Sequence, residues 1–222
     1  MRVRTLVSVF LFVLVCSFAV NAKQLVVMID PAGHSQDAGR DLLDGKERGA
    51  TLRFAEELSK RLKDEYGVQV VLTRGAGEVV LPYQNASFSN RLPVDFFIRL
   101  QLYSRGNRLQ VKPKIFLYHL VFNSLVDFSL HNLDLLAFLP VSQAHFGNIH
   151  KTKRFGMEIK NYLSADNYKR YFDCLGLYGL PLKDLAGIQS PAIIIECGIC
   201  ERDQWKQLVE PLVKSFSFIK DL

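Results

Sequence analysis

The sequence predicts a single α/β domain in which a mainly parallel β-sheet is covered by helices on both faces. Short apolar runs that end in turn residues alternate along the chain with segments whose apolar residues follow helical spacing. The chain has 222 residues, 49% of them hydrophobic, which is enough for one sizeable core but small for two full domains. In sheets of this kind, binding sites gather at the carboxyl ends of the strands.

The first strand is predicted at Gln24–Ile29, where a short apolar run ends in Asp-Pro. A helix is predicted from about Glu47 to Glu65, because its apolar residues recur every three or four positions with charges between them, and Gly67 ends it. Further strands are predicted at 68–74, 95–102, 114–119 and 191–198, and further helices at 157–163, 168–171 and 203–219. Residues 120–150 exceed what this fold needs and predict a partly helical insertion.

The first 22 residues have the features of a secretory signal peptide. Arg2 and Arg4 form a basic start, residues 5–20 are apolar, and residues 20–22 form a small-residue cleavage site, so the mature domain is predicted at 23–222. We therefore expect a periplasmic or secreted protein of the bacterial cell envelope. Membrane attachment is expected only if the signal is not cleaved, because the apolar stretch is nearly long enough to span a bilayer.

The charge of the protein gives only a weak indication of its partner. The whole chain carries a net charge of +6, and loss of two arginines with the signal leaves 26 basic and 22 acidic residues, a net charge of +4. Such a balance suits an anionic polymer such as the cell wall, but an ordinary soluble protein equally well. No nucleic-acid partner is expected.

Three cysteines remain after residue 22, namely Cys174, Cys197 and Cys200. An odd number implies no disulfide framework. Cys197 and Cys200 form a CxxC pair, but this pair follows the last strand and has no second pair to match it. A thiol-based function is therefore the weakest of the hypotheses.

Four polar residues lie at or near the ends of predicted strands or at the start of the first helix. Together they form a candidate site. His34 follows the first strand, Gln101 lies near the end of the third, Glu196 ends the last, and Glu47 opens the first helix. An acid after three consecutive isoleucines is costly to bury unless it is paired, protonated or functional, so Glu196 is the strongest candidate. Taken alone, Glu47 is more readily explained as part of a capping box, and His34 as an ordinary loop histidine.

Five segments, in this order, carry a resemblance to a known family: IDPAGHSQDAG, DGKERGATLRFAEELSKRL, VVLTR, SNRLPVDFFIRLQ and PAIIIECGI. Together they resemble the zinc-dependent N-acetylmuramoyl-L-alanine amidases, which cut the amide bond between glycan and stem peptide in peptidoglycan. The resemblance covers most of the chain after residue 22. It implies a zinc ion bound by His, Glu and His, with a further glutamate as general base.

Matched position by position, the resemblance implies His34 and Glu47 as zinc ligands and Glu196 as the catalytic acid/base. Zinc in such a site lowers the pKa of bound water to about 7, and the carboxylate carries the proton from this water to the leaving nitrogen. The third ligand position is Gln101, whose amide oxygen binds zinc less well than imidazole. We therefore expect zinc affinity to be weakened or lost.

Two further departures concern the same site. Ala32 is inserted before Gly33, which changes the turn that carries His34, and Arg99 stands where the family usually has a small serine. If Arg99 points toward the site, its charge opposes a metal cation, and the alternation of a strand places it on the same face as Gln101.

The insertion at 120–150 has two interpretations, a core-packing element or a helix that covers the site until a regulatory protein partner removes it, as in some members of the family resembled. It also supplies His131, His145 and His150 as replacement ligands. The leading hypothesis is a peptidoglycan amidase. The alternative is a catalytically inactive relative that binds peptidoglycan or regulates wall hydrolysis.

Overall fold

The computed structural model describes residues 24–43, 45–81, 83–106, 111–121, 141–201 and 203–221. Six strands form one sheet in the order β4-β1-β5-β8-β6-β7, and β2 and β3 form a separate two-stranded hairpin. The strands are β1 (Val26–Pro31), β2 (Asp41–Leu42), β3 (Gly45–Lys46), β4 (Gln69–Leu72), β5 (Phe96–Ser104), β6 (Lys114–Leu120), β7 (Asp173–Leu180) and β8 (Ala192–Ile199). The α-helices are α1 (Glu47–Tyr66), α2 (Gln84–Arg91), α3 (Ile149–Leu163) and α4 (Lys206–Ser215). Short 3₁₀ helices occupy Val141–Asn148, Lys183–Leu185 and Ser217–Asp221.

The three long helices share one face of the sheet. Alternate strand residues, such as Ile98 and Leu100 of β5 and Ile195 of β8, point to this face and are fully buried. Phe54 of α1 and Leu212 of α4 belong to the same hydrophobic core. Burial of these apolar side chains is the main stabilising contribution to the fold.

The opposite face carries a smaller apolar cluster and the polar residues of the candidate site. Met28, Phe97 and Ile194 of the strands pack there against Ala86 of α2 and Leu185 of a 3₁₀ helix. Helices therefore lie on both faces of a mainly parallel sheet in one domain, and the predicted fold class is confirmed. Because only short helices cover the second face in the described part of the chain, long polar side chains beyond this cluster are left within reach of solvent.

The sheet departs from the simple parallel arrangement at β6. This strand runs antiparallel to β8, with Phe116 opposite Glu196, and β7 runs parallel to β6. The sequence prediction missed β7 because Gly176 and Gly179 interrupt its apolar pattern. The helix predicted at 168–171 is wrong, since these residues form turns that lead into β7.

Several predicted features lie outside the described residues. These are the signal peptide at 1–22 and most of the insertion, including His131. The described part of the insertion is the 3₁₀ helix Val141–Asn148 and the first residues of α3. Within the part of the chain that the structure describes, no helix is both long and apolar enough to cross a membrane.

Candidate active site

The candidate site lies on the second face of the sheet, toward the carboxyl ends of β1, β5 and β8. Asp30 of β1 is opposite Arg99 of β5, and Gln101 of β5 is opposite Glu196 of β8. Met28, Phe97 and Ile194 lie on this face, so the period of two along each strand places these four polar residues there as well.

Glu196 is held by two side chains. Its Oε1 accepts a hydrogen bond from Nη1 of Arg40 at 2.6 Å, and its Oε2 accepts one from the hydroxyl of Tyr118 at 3.1 Å. The Glu196 side chain is only 14% exposed. Burial, together with the negative charge of Glu196, raises the pKa of Tyr118, so this hydroxyl stays protonated and donates.

Arg40 connects the two glutamates of the site. Burial lowers the pKa of Arg40, but the hydrogen bond and charge of Glu196 and the charge of Glu47 outweigh this effect and raise it. The guanidinium also lies 6.0 Å from the centre of the Tyr103 ring. The permanent positive charge of Arg40 is therefore in direct contact with Glu196, the predicted catalytic carboxylate.

Glu47 is buried, with 3% of its surface exposed, and both its carboxylate oxygens accept backbone hydrogen bonds. Oε1 accepts from the amide of Leu102 at 2.9 Å, and Oε2 from the amide of Arg40 at 3.0 Å. The ladder between β1 and β5 ends with Pro31 opposite Leu100. Beyond this end, the amide of Leu102 in β5 donates to the side chain of Glu47. No side-chain cap is made at Lys46, the N-cap of α1. The capping-box interpretation therefore does not describe Glu47.

Gly39 makes room for the Glu47 carboxylate. Its φ is +70°, and a Cβ placed there would lie 2.8 Å from Oε2 of Glu47. Both the backbone conformation and the close contact require glycine at this position.

The loop after β1 is fixed by backbone contacts. The amide of the inserted Ala32 donates to the carbonyl of Leu100 at 2.9 Å, and its own carbonyl accepts from Oγ1 of Thr51 and Nη2 of Arg74. The insertion therefore extends the contact between the chain after β1 and β5 before the chain turns at Gly33, where φ is +75°.

His34 is half-buried in this turn and acts there as a hydrogen-bond acceptor. Its Nδ1 accepts from the amides of Gln36 and Asp37, both at 3.3 Å. In a neutral ring that accepts at Nδ1, the proton is on Nε2. A histidine that binds a metal through Nε2 needs the reverse arrangement, with Nδ1 donating.

Gln101 and Arg99 converge on one carboxylate, that of Asp184. Nε2 of Gln101 donates to Oδ2 of Asp184 at 3.2 Å, and Nε of Arg99 lies 3.4 Å from the same oxygen, without the alignment of a hydrogen bond. Arg99 also forms an ion pair with Asp30, which is 1% exposed and accepts from Oγ1 of Thr73 at 2.6 Å. The charge of Arg99 is therefore balanced by two carboxylates within the site.

A cleft of about 560 Å³ opens beside these residues. It is lined by His34, Asp30, Arg99 and Asp184, together with Tyr83 and Asn85 from the start of α2. The mixed polar and apolar lining suits a ligand that carries both amide and hydrocarbon groups.

The residues in this arrangement do not fit a zinc ion. Among the described residues, no group of three or more His, Cys, Asp or Glu could hold a metal ion. The predicted ligands are held by partners within the protein, since Nδ1 of His34 accepts two amides, each oxygen of Glu47 accepts one amide and the amide nitrogen of Gln101 donates to Asp184. The roles of His34, Glu47 and Gln101 as ligands stay predictions.

The two other described histidines of the insertion do not reach Glu196. His145 is buried beside Leu120 and Ala192, at the start of β8, about 13 Å along the strand from Glu196. His150 lies on the exposed first turn of α3. Neither supplies the missing third ligand in this structure.

The two cysteines that follow Glu196, Cys197 within β8 and Cys200 just after it, are structural. Cys197 and Cys200 are fully buried free thiols, and burial raises the pKa of Cys197. A buried thiol of raised pKa is a poor nucleophile. The structure therefore gives no support to a thiol-based function.

Sequence reasoning missed three residues of the site, namely Arg40, Tyr118 and Asp184. Arg40 lies between His34 and Glu47 in the sequence, within the segment that carries the resemblance. The alternation of β6 indicates that Tyr118 shares a face with Phe116, but the antiparallel pairing with β8 was needed to bring it to Glu196. No sequence pattern indicated Asp184, which comes from a 3₁₀ turn.

The mostly buried Glu196 on a central strand and the cleft lined by Asp30, His34 and Asp184 form the candidate site of an α/β protein. The model of the N-acetylmuramoyl-L-alanine amidase family, Amidase_3, matches residues 27–213, and the chain belongs to this family. None of the curated proteins matches the chain in sequence.

Solved structures of amidases share the fold. An N-acetylmuramoyl-L-alanine amidase from Clostridium difficile 630 aligns with a TM-score of 0.64 at 17% identity, covering 90% of this chain and 98% of that one. The amidase AmiC2 of Nostoc punctiforme aligns with a TM-score of 0.62 at 18% identity over 89% and 98%. The CwlD amidase from Clostridioides difficile, in complex with the GerS lipoprotein, aligns with a TM-score of 0.61 at 11% identity over 89% and 98%.

Proposed function

We propose that this protein hydrolyses the amide bond between N-acetylmuramic acid and L-alanine in peptidoglycan, with Glu196 as the carboxylate that moves the proton. The observation that carries the proposal is the placement of Glu196, on a central strand, only 14% exposed and oriented by two hydrogen bonds. Membership of the amidase family supplies the reaction and the substrate.

The residues of this chain have separate tasks in that reaction. Glu196 takes a proton from the attacking water and passes it to the nitrogen of L-alanine as the amide bond breaks. A carboxylate has about four lone-pair positions, so the bonds from Arg40 and Tyr118 leave room for the water. Tyr118 keeps the carboxylate in one orientation, and the cleft beside His34 holds the rest of the substrate.

Zinc is a general property of the family, and for this chain we propose zinc binding that is weak or lost. Gln101 replaces an imidazole, and the other predicted donors are engaged by backbone amides. A change among the groups that merely support a metal ligand typically costs 10 to 100-fold in affinity, so a change of ligand should cost at least about as much.

The test is hydrolysis of purified peptidoglycan by the wild type, a Glu196→Gln variant and a Glu57→Gln control on the exposed surface of α1. Loss of the general base should reduce the rate by about 10² to 10⁴-fold, while the control keeps the wild-type rate. Released peptides are identified by mass spectrometry from a free L-alanine amino terminus. A Glu196→Gln variant as active as the wild type would contradict the assigned role.

A second function is favoured by one observation, the ion pair between Arg40 and Glu196. A glutamate bonded to a guanidinium can serve to orient a ligand without taking part in proton transfer, which suits a protein that binds peptidoglycan or regulates its hydrolysis without cleaving it. Co-sedimentation with insoluble peptidoglycan separates the two. Binding without released peptides, with and without added zinc, would establish the second function in place of the first.

We also propose a periplasmic or secreted location, supported by the signal-like residues 1–22. A protein partner that acts on residues 120–150 is proposed by analogy with the CwlD amidase, which is described in complex with a lipoprotein. Amino-terminal sequencing of the exported protein tests the proposed location, since an unprocessed Met1 terminus would contradict cleavage of the signal. The proposed protein partner is tested by affinity capture, in which the wild type is compared with a chain whose residues 122–140 are replaced by a Gly-Ser linker.

A further inference from the structure

Arg40 is a cation of the protein itself that contacts both glutamates of the candidate site. The backbone amide of Arg40 donates to Glu47, and its guanidinium donates to Glu196. These two glutamates are the carboxylates that the resemblance assigns to the metal and to catalysis. Arg40 therefore contacts both of these carboxylates.

We propose that Arg40 is the resident cation of this site and that its guanidinium takes the place a divalent metal ion would need. The proposal rests on the location of the site given under the proposed function, but not on hydrolysis taking place there. It accounts for the disagreement between the donor set and zinc, because Arg40 satisfies Glu47 through its backbone amide and Glu196 through its guanidinium, without the tetrahedral ligands that zinc requires.

The position of the Arg40 charge supports this assignment. Among the described residues, Arg99 is paired with Asp30 and Asp184, whereas Arg40 is the cation beside the other two carboxylates, Glu196 and Glu47. Addition of a divalent ion would place two more positive charges against a guanidinium that is already paired, so like-charge repulsion opposes metal entry. The Gln101 amide, which donates to Asp184, adds no negative charge to compensate.

The Arg40 side chain is also suited to this role by its exposure. It is 47% exposed, so substitutions there disturb little packing, and its backbone amide keeps the bond to Glu47 whatever the side chain is. Of the five N–H donors of a guanidinium, one is used by Glu196, which leaves others to bind a carbonyl or carboxylate oxygen of a ligand.

The experiment measures zinc affinity of the purified protein by competition with a chromophoric chelator. Variants are Arg40→Gln, which removes the charge, Arg40→Lys, which keeps it, and Arg53→Gln, a matched loss of charge on the exposed side of α1. We expect Arg40→Gln to bind zinc at least about 10-fold more tightly than the wild type, and Arg40→Lys and Arg53→Gln to match the wild type. Thermal unfolding of each variant verifies folding.

The proposal is overturned if the wild type binds one zinc ion with nanomolar affinity, or if Arg40→Gln binds zinc no more tightly than Arg53→Gln. Peptidoglycan cleavage, measured in parallel, keeps this result separate from the proposed function. Tight zinc binding with cleavage refutes the resident cation and retains the amidase. Weak zinc binding without cleavage, with affinity gained in Arg40→Gln, refutes the amidase and retains the resident cation.

Discussion

The ion pair between Arg99 and Asp30 gives the sharpest prediction on stability. Substitution of Arg99 by Met keeps most of the side-chain volume and removes the charge. Asp30 is 1% exposed, so the variant leaves a buried carboxylate with Thr73 as its remaining hydrogen-bond donor among the described side chains. Loss of one partner of a buried ion pair costs far more than the pair contributes, because the other charge stays desolvated.

The expected loss is about 3 kcal/mol, the lower end of the range for breaking a buried pair, since the Arg99 side chain is 18% exposed. For a domain of this size, that corresponds to a fall in Tm of roughly 6–12 °C. The double variant Asp30→Asn with Arg99→Met removes both charges and should recover most of the loss. The control is Arg61→Met, whose partner Glu210 is 51% exposed, with an expected change below about 1 kcal/mol.

Urea unfolding followed by circular dichroism measures these three variants and the single variant Asp30→Asn against the wild type. The double-mutant cycle of the two single variants and the double variant isolates the interaction between Asp30 and Arg99. A loss below about 1 kcal/mol for Arg99→Met, or a double variant less stable than the single one, would refute the view that Asp30 is a buried charge dependent on Arg99.

Three further predictions follow from the glycines, the thiols and the phenols of the structure. Gly39→Ala should cost about 1–2 kcal/mol more than Gly67→Ala, because both residues have positive φ but only at Gly39 does the new Cβ meet Glu47, and equal Tm values for the two variants would contradict this. Cys197 and Cys200 should resist a thiol reagent at pH 8 in the folded protein and react once it is unfolded, and rapid reaction in the folded state would show that they are accessible. Burial raises the pKa of Tyr66 from 10.0 to about 12, so its contribution to stability is complete below pH 10 and is lost as the pH rises toward 12. The urea midpoint of the wild type should therefore fall between pH 10 and 12 more than that of Tyr66→Phe, and equal falls would count against the shift.

The strands that build the site could be predicted because their side chains are almost uniformly apolar. The segment that ends at Glu196 has three consecutive buried isoleucines, and such a short run of β-branched residues is typical of a buried strand. The glycine-interrupted β7 carries no such pattern, and its position at the sheet edge leaves it half-exposed, so local sequence could not indicate it.

The candidate residues His34, Glu47, Gln101 and Glu196 could be located to one face and one edge of the sheet, but their partners could not. Arg40 and Glu196 are 156 residues apart in sequence, and the contact depends on β5 and β8 pairing with the observed register. Likewise, Glu47 was expected to be a ligand or a cap, whereas its carboxylate binds the amide of Leu102, 55 residues away. Long-range contacts of this kind are set by tertiary packing, which local propensity does not encode.

The central position of β8 has a consequence for the order in which this protein folds. β8 joins β5 on one side to β6 on the other, so it links the two halves of the sheet although it is the last strand in the sequence. Contacts between residues so distant in sequence form slowly, because a long loop must close before they can be made. In a nascent chain that lacks β8, the strands β4, β1 and β5 are not joined to β6 and β7. The edges of β5 and β6 that pair with β8 are then open to other chains. Glu196 arrives with β8, so this protein acquires its proposed catalytic carboxylate in the same step that completes its sheet.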